Sequence, residues 1–159
     1  MARDQEEAIV YKGRIRMPYN WAVGETGSFF LNKIKDDCQI WATKCTECEK
    51  VFLPPRRNCP YCFFPRTNWI QLSGNGVLTN YTKVHYHEPA LHPQDPPFIY
   101  GMIRLDGADT SLLHLLGEID EKNLQEGIRV EPVFDEERTG HIKDIKYFRP
   151  ETLFHKEGS

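Results

Sequence analysis

The chain has 159 residues, 40% hydrophobic and 27% charged, with a formal net charge of -3. This is an ordinary soluble globular balance with room for one modest core plus a small appendage. The charge argues against a protein whose main business is coating nucleic acid, because that affinity comes largely from excess Lys and Arg neutralising phosphates. No apolar run reaches the length of a membrane span, and residues 1–7 are polar and charged with no apolar signal core behind them, so a cytoplasmic protein is expected.

In chain order, residues 1–25 mix charges with Ile9, Val10, Tyr11, Ile15, Met17, Tyr19 and Trp21 in no sustained period. They read as an N-terminal arm that lies on its own domain or on a partner. From Thr26 or Ser28, either a fair N-cap, the run Phe29, Phe30, Leu31 and Ile34 predicts a short helix ending by Asp36 and Asp37. Residues 38–44 then read as a strand, with Cys38 a small buried hydrophobe. Helix and strand are expected to meet through their aromatic side chains.

That strand runs into Cys45-Thr-Glu-Cys48, followed by ten residues and Cys59-Pro-Tyr-Cys62. Each Cys-x-x-Cys is a tight turn whose two sulfurs face one point, and the intervening stretch is long enough to fold the second turn onto the first. The prediction is a rubredoxin-like zinc ribbon, with Cys45, Cys48, Cys59 and Cys62 as ligands to one structural ion per chain. Iron suits the same four thiolates. A redox pair fits less well, because Val51, Phe52, Leu53 and Pro54 between the two motifs read as a strand and turn. Two disulfides would strand Cys38 in a chain with no export signal. Four protein ligands leave no open position on the ion, so its role is structural.

Beyond Pro65 a brief strand around Trp69, Ile70 and Leu72 closes a unit spanning residues 26–72. Gly74-Asn75-Gly76 marks a turn into residues 73–149, where strands are expected at 77–84, 98–105, 112–119, 128–134 and 141–148. Residues 120–126 form a polar helical link, capped by Asp120 and stopped by Gly127. Five strands with that link between the third and fourth predict an OB-fold barrel, so the fold class is mainly β; a five-stranded sandwich fits the pattern too. Residues 150–159 form a C-terminal tail. The loop carrying His85, His87, Glu88, His92 and Asp95 lacks helical ligand spacing and reads as a stiff contact loop rather than a second metal site. The sequence offers no nucleophile elbow, no phosphate-binding fingerprint and no self-sufficient catalytic set.

Cys45-Thr-Glu-Cys48, Pro54-Pro55-Arg56, Cys59-Pro-Tyr-Cys62, Ser73-Gly74-Asn75-Gly76 with Tyr81-Thr82, and Pro97-Phe98-Ile99-Tyr100 before Leu105-Asp106-Gly107 together carry a resemblance. Over residues 29–149 the chain resembles the family of small zinc-ribbon and OB-fold proteins associated with acyl-CoA, long known as a domain of unknown function. The resemblance implies a non-catalytic accessory subunit of a thiolase complex, which binds or gates acyl-CoA where it meets the catalytic subunit. In layout the chain is similar to thiolase partners that act on unusual acyl-CoAs, among them the partner of a benzoylsuccinyl-CoA-type thiolase. It further implies that Arg56, Arg57, Phe63, Phe64 and Arg66 contact CoA or the partner. Lys44 and Lys50 extend the same basic patch. Two alternatives accompany this reading: a single-stranded nucleic-acid-binding module, since ribbons and OB barrels both serve that role, and a scaffold bridging a thiolase and a hydroxymethylglutaryl-CoA synthase. The chain departs from the ribbon pattern at Glu49 and Phe63, which stand where glycine commonly follows each knuckle, so less relaxed knuckles are expected.

Overall fold

The structure is a computed structural model that describes residues 9–11, 13, 17–63, 65, 67–88, 92 and 94–151. Helix α1 spans Gly24–Asp37 and buries Phe30 and Ile34, one turn apart on a single face. It begins earlier than the Thr26 or Ser28 start expected from capping, on Val23, whose side chain offers no cap hydrogen bond. At its other end the expectation for Cys38 is corrected. This residue is exposed, and with φ 52 it occupies the left-handed position that ends the helix. Its N–H and that of Gln39 bond back to the carbonyls of Ile34 and Lys33, so the strand starts two residues later than expected.

Strands β1 (Ile40–Cys45), β2 (Val51–Phe52) and β3 (Thr67–Leu72) form an antiparallel sheet in the order β2-β1-β3. Phe29 of α1 packs 5.7 Å from Trp41 and 4.2 Å from Trp69, measured between ring centres. These rings are the aromatic contact expected between helix and ribbon. Strands β4 (Gly76–Val84), β5 (Phe98–Leu105), β6 (Leu112–Leu116), β7 (Arg129–Phe134) and β8 (Ile145–Pro150) close a barrel in the order β4-β5-β6-β8-β7. All its pairings are antiparallel except β6 with β8, which meet in parallel at Leu116 and Phe148. This is the five-stranded OB arrangement. Closure of β4 against β5 requires Gly76, where a Cβ would stand 2.5 Å from the Arg104 carbonyl oxygen.

Two segments differ from the sequence expectation. Residues 120–126 contain only a 3-10 turn, Glu121–Asn123, and the Asp120 side chain makes no cap bond. Residues 141–144, expected as strand, form a second 3-10 turn in which the His141 and Asp144 side chains cap each other's backbone. Asp144 is buried and also accepts the N–H groups of Thr139 and Gly140. Burial pushes its carboxyl up, but the N–H bonds from Thr139, Gly140 and His141 outweigh this and hold it below the usual carboxylate value.

One buried apolar cluster runs from Phe30 and Ile34 of the helix through Ile40, Val51, Leu53 and Leu72 of the ribbon to Leu78, Ile103, Val130, Ile145 and Phe148 of the barrel. The junction is also hydrogen-bonded. Asp109 accepts the Val51 N–H at 2.7 Å and returns its own N–H to the Val51 carbonyl. Thr110 Oγ1 accepts the Leu53 N–H at 2.7 Å and donates to the Leu53 carbonyl at 2.8 Å. The β5–β6 loop therefore satisfies the free edge of β2, and ribbon and barrel form one body.

Candidate metal centre and the barrel beside it

β1 delivers Cys45 at its last residue, and β2 returns the chain beneath it, so that the first knuckle is the tight connection between paired strands. The Cys45 N–H donates to the Lys50 carbonyl and the Phe63 N–H to the Cys59 carbonyl, each at 2.9 Å, so the first cysteine closes its knuckle as a donor in one case and as an acceptor in the other. Glu49 and Phe63, the residues that stand where ribbons commonly carry glycine, have φ 59 and 56. Both are held in the left-handed region, a strained position for a residue with a side chain.

The four sulfurs of Cys45, Cys48, Cys59 and Cys62 lie within 4.8 Å of one another, and those of Cys48 and Cys59 are 3.6 Å apart. An ion held tetrahedrally at ~2.3 Å from each sulfur spaces them roughly 3.8 Å apart, so the cluster fits zinc. The backbone N–H groups of Glu47 and Cys62 point at the sulfurs of Cys45 and Cys59 at 3.4 and 3.5 Å, the outer support that tunes thiolate ligands. Electrostatics makes the same point. Its hydrogen bond with Cys48, burial and the nearby Cys59 push the Cys62 thiol up to about 12. Burial raises Cys59 too, but the N–H groups of Cys62 and Tyr61, with the neighbouring thiols, bring it down to about 7. Four adjacent sulfurs cannot all be anionic without a cation between them, and a divalent ion held by the four would supply it. Cys45 and Cys59 are buried against Phe52, whereas Cys48 and Cys62 are partly exposed.

The remaining residues singled out in the sequence surround this centre. Arg56 is pinned by its main chain, which exchanges two hydrogen bonds with the buried Thr43 hydroxyl, leaving its side chain in solvent. Arg57 is exposed beside it, and Phe63 is 83% exposed at the tip of the second knuckle. Phe64 and Arg66 lie outside the described residues. Lys44 pairs with Glu49 at 3.6 Å. Tyr61, not singled out in the sequence, belongs to this face: it stacks on Phe52 and carries the Lys50 ammonium 4.9 Å from its ring centre. The available signal was its place inside a knuckle, where a large ring has nowhere to be buried.

A protein-family model described as ChsH2, C-terminal OB-fold domain, matches residues 69–135. The match takes in most of the barrel and is a likeness of that part of the chain. No sequence among curated proteins matches the chain. Among solved structures, a chain titled "Ltp2-ChsH2(DUF35) aldolase" superposes with a TM-score of 0.64 at 22% identity, covering 82% of this chain and 98% of that one. A DUF35-family protein of unknown function from Sulfolobus solfataricus gives a TM-score of 0.57 at 21% identity, covering 80% and 84%. These two likenesses establish the fold.

In the barrel, Tyr86 and His92 of the loop after β4 continue into Phe98 and Tyr100 of β5 as an edge-to-face aromatic series, with ring centres 4.9 to 5.4 Å apart. His87 lies 3.4 Å from Asp95, an ion pair when the imidazole is protonated. Among the described residues the four cysteines are the only cluster with metal-ligand geometry. His114 is buried, with Nδ1 accepting the Leu115 N–H and Nε2 facing the Ile142 carbonyl at 3.2 Å. Burial pushes its pKa below the ordinary value, only partly opposed by those two contacts. No helix among the described residues is long and apolar enough to cross a membrane.

Proposed function

We propose that this chain is a non-catalytic, zinc-stapled accessory subunit of a thiolase-type acyltransferase complex, binding or gating acyl-CoA at the interface with the catalytic subunit. The observation that carries the reading is the ribbon and ChsH2-like barrel sharing one core. A chain of the same layout is named together with Ltp2 in a structure titled an aldolase, which supports a partner-dependent role. The groups best suited to chemistry are already engaged: the four clustered sulfurs suit a metal, and both His114 nitrogens face the main chain.

On this reading one zinc per chain holds the ribbon. Arg56 and Arg57 meet the anionic end of CoA through charge-assisted hydrogen bonds, and Phe63, flanked by Phe64 and Arg66 in sequence, offers a ring to the adenine or the partner. The substrate is an unusual, aromatic acyl-CoA undergoing degradation, as for a benzoylsuccinyl-CoA-type thiolase.

The test is purification of the native complex under mild salt, with mass spectrometry of co-eluting chains and metal analysis of the same fraction. A stoichiometric thiolase-type subunit with close to one zinc per chain is expected. Recovery of the chain alone, or with nucleic acid, would overturn the reading.

A further inference from the structure

The outer face of β5 and β6 carries two apolar cross-strand pairs, Tyr100 with Leu115 and Met102 with Leu113. Met102 is 38% and Leu113 56% exposed, in register and on the same side of the sheet, whereas Gly101 and His114 between the two pairs, and Ile103 and Leu112 beyond them, are buried. Beside these pairs lies a cavity of about 120 Å³, lined almost wholly by carbon, among Tyr100, His114, Leu115, Ile142 and Lys143. Arg104, two residues beyond Met102 at the far end of the apolar pairs, and Lys143 of the cavity lining are both exposed and form no ion pair among the described residues.

This is the face through which OB barrels take single-stranded nucleic acid, and they do so with basic grooves and stacked rings. Here the centre is aliphatic. A cavity of roughly 150 Å³ holds one benzene ring, so this one takes a single side chain of about leucine size. An apolar pocket ringed by further apolar side chains, with charge only at the edge, is the anatomy of a protein interface.

We infer that the Tyr100–Leu115 and Met102–Leu113 face of the barrel is the docking surface for the catalytic subunit, the pocket receiving one aliphatic or aromatic side chain flanked by carboxylates that meet Arg104 and Lys143. The inference rests on the accessory-subunit reading and adds where the partner binds. It separates the tasks of the chain: the barrel holds the enzyme, and the ribbon faces the CoA.

The test uses the zinc-loaded full chain and, as probe, the recombinant thiolase-type subunit recovered with it in the purification above. Leu113→Glu is expected to weaken their affinity by about 100-fold and Leu113→Ala by about tenfold. Arg104→Glu with Lys143→Glu slows association and makes it less salt-dependent. Zinc content and melting temperature, matching the unmodified chain, show that each variant is folded.

Affinity of Leu113→Glu within twofold of the unmodified chain overturns the docking face while leaving the accessory-subunit reading intact. No binding by the unmodified chain removes both. Two other results reassign the face and also overturn the inference. One is a chain that dimerises by itself and is made monomeric by Leu113→Glu. The other is octanoyl-CoA binding to the chain alone that Leu113→Glu abolishes.

Discussion

The clasp between ribbon and barrel rests on one hydroxyl, and Thr110→Val tests it with almost no change in volume. Thr110 Oγ1 serves both the N–H and the carbonyl of Leu53, a residue only 1% exposed, so water cannot take the place of the lost group. An orphaned buried backbone group costs about 1–3 kcal/mol, and a carbonyl left short is less costly than an N–H. Together the two losses come to about 2–4 kcal/mol. At about 2–4 °C per kcal/mol for a protein of this size, the melting temperature falls by roughly 5–15 °C.

The assay is urea unfolding of the zinc-saturated protein, followed by tryptophan fluorescence because Trp41 and Trp69 sit in the ribbon sheet on either side of Phe29. Thr110→Ser keeps the hydroxyl and stays within about 1 kcal/mol of the unmodified protein. Thr110→Val also hastens zinc loss to a chelator, because β2 lies beneath the first knuckle. A Thr110→Val midpoint within about 0.5 kcal/mol of the unmodified protein, the range of ordinary surface substitutions, would refute the claim that this loop joins the two parts.

Removing the metal, by strong chelation or by Cys59→Ser, releases one zinc per chain and unfolds the ribbon, read as lost amide protection over residues 40–72. Phe63→Gly relieves a left-handed backbone at a side chain with little contact to lose, so metal-loaded stability rises by up to about 1 kcal/mol while CoA affinity falls. Gly76→Ala drives a Cβ into the Arg104 carbonyl, and calorimetry registers a loss of about 2 kcal/mol or more. His114 titrates near 6.5 when unfolded and lower when folded, because burial disfavours its charged form. As pH falls below ~6.5 the unfolded chain binds the proton and the folded chain does not, so stability drops until the folded pKa is reached. His114→Gln flattens that part of the pH–stability curve.

The four-cysteine cluster was legible because its signal is local: two Cys-x-x-Cys pairs at chelating spacing specify one point in space whatever surrounds them. The strands were legible where one face is buried, as in Phe98–Leu105, where Ile103 and Leu105 alternate with exposed Met102 and Arg104. The start of α1 was not, since Thr26 and Ser28 advertise caps that the chain does not use. Cys38 was misjudged for a related reason: a small apolar residue reads as core, and nothing in its type signals a left-handed helix terminus. The second 3-10 turn had a readable cue in Thr139-Gly140-His141 ahead of Asp144, overlooked because the flanking apolar residues suggested a strand. The Asp109 and Thr110 clasp lies beyond single-sequence reading, because its partners are 58 and 57 residues away.

Closure of the barrel has a mechanical meaning. β4 joins β7 through only two register pairs, and β6 joins β8 through one, whereas β4–β5, β5–β6 and β7–β8 are long antiparallel ladders. The cylinder is thus a three-stranded leaf and a two-stranded leaf stitched along two short seams. Thermal breathing parts the stitching before either leaf frays. Leu116 and Phe148, buried register partners, are the rivets of the weaker seam, and a molecule bound across β5 and β6 rests on a single leaf and crosses neither seam.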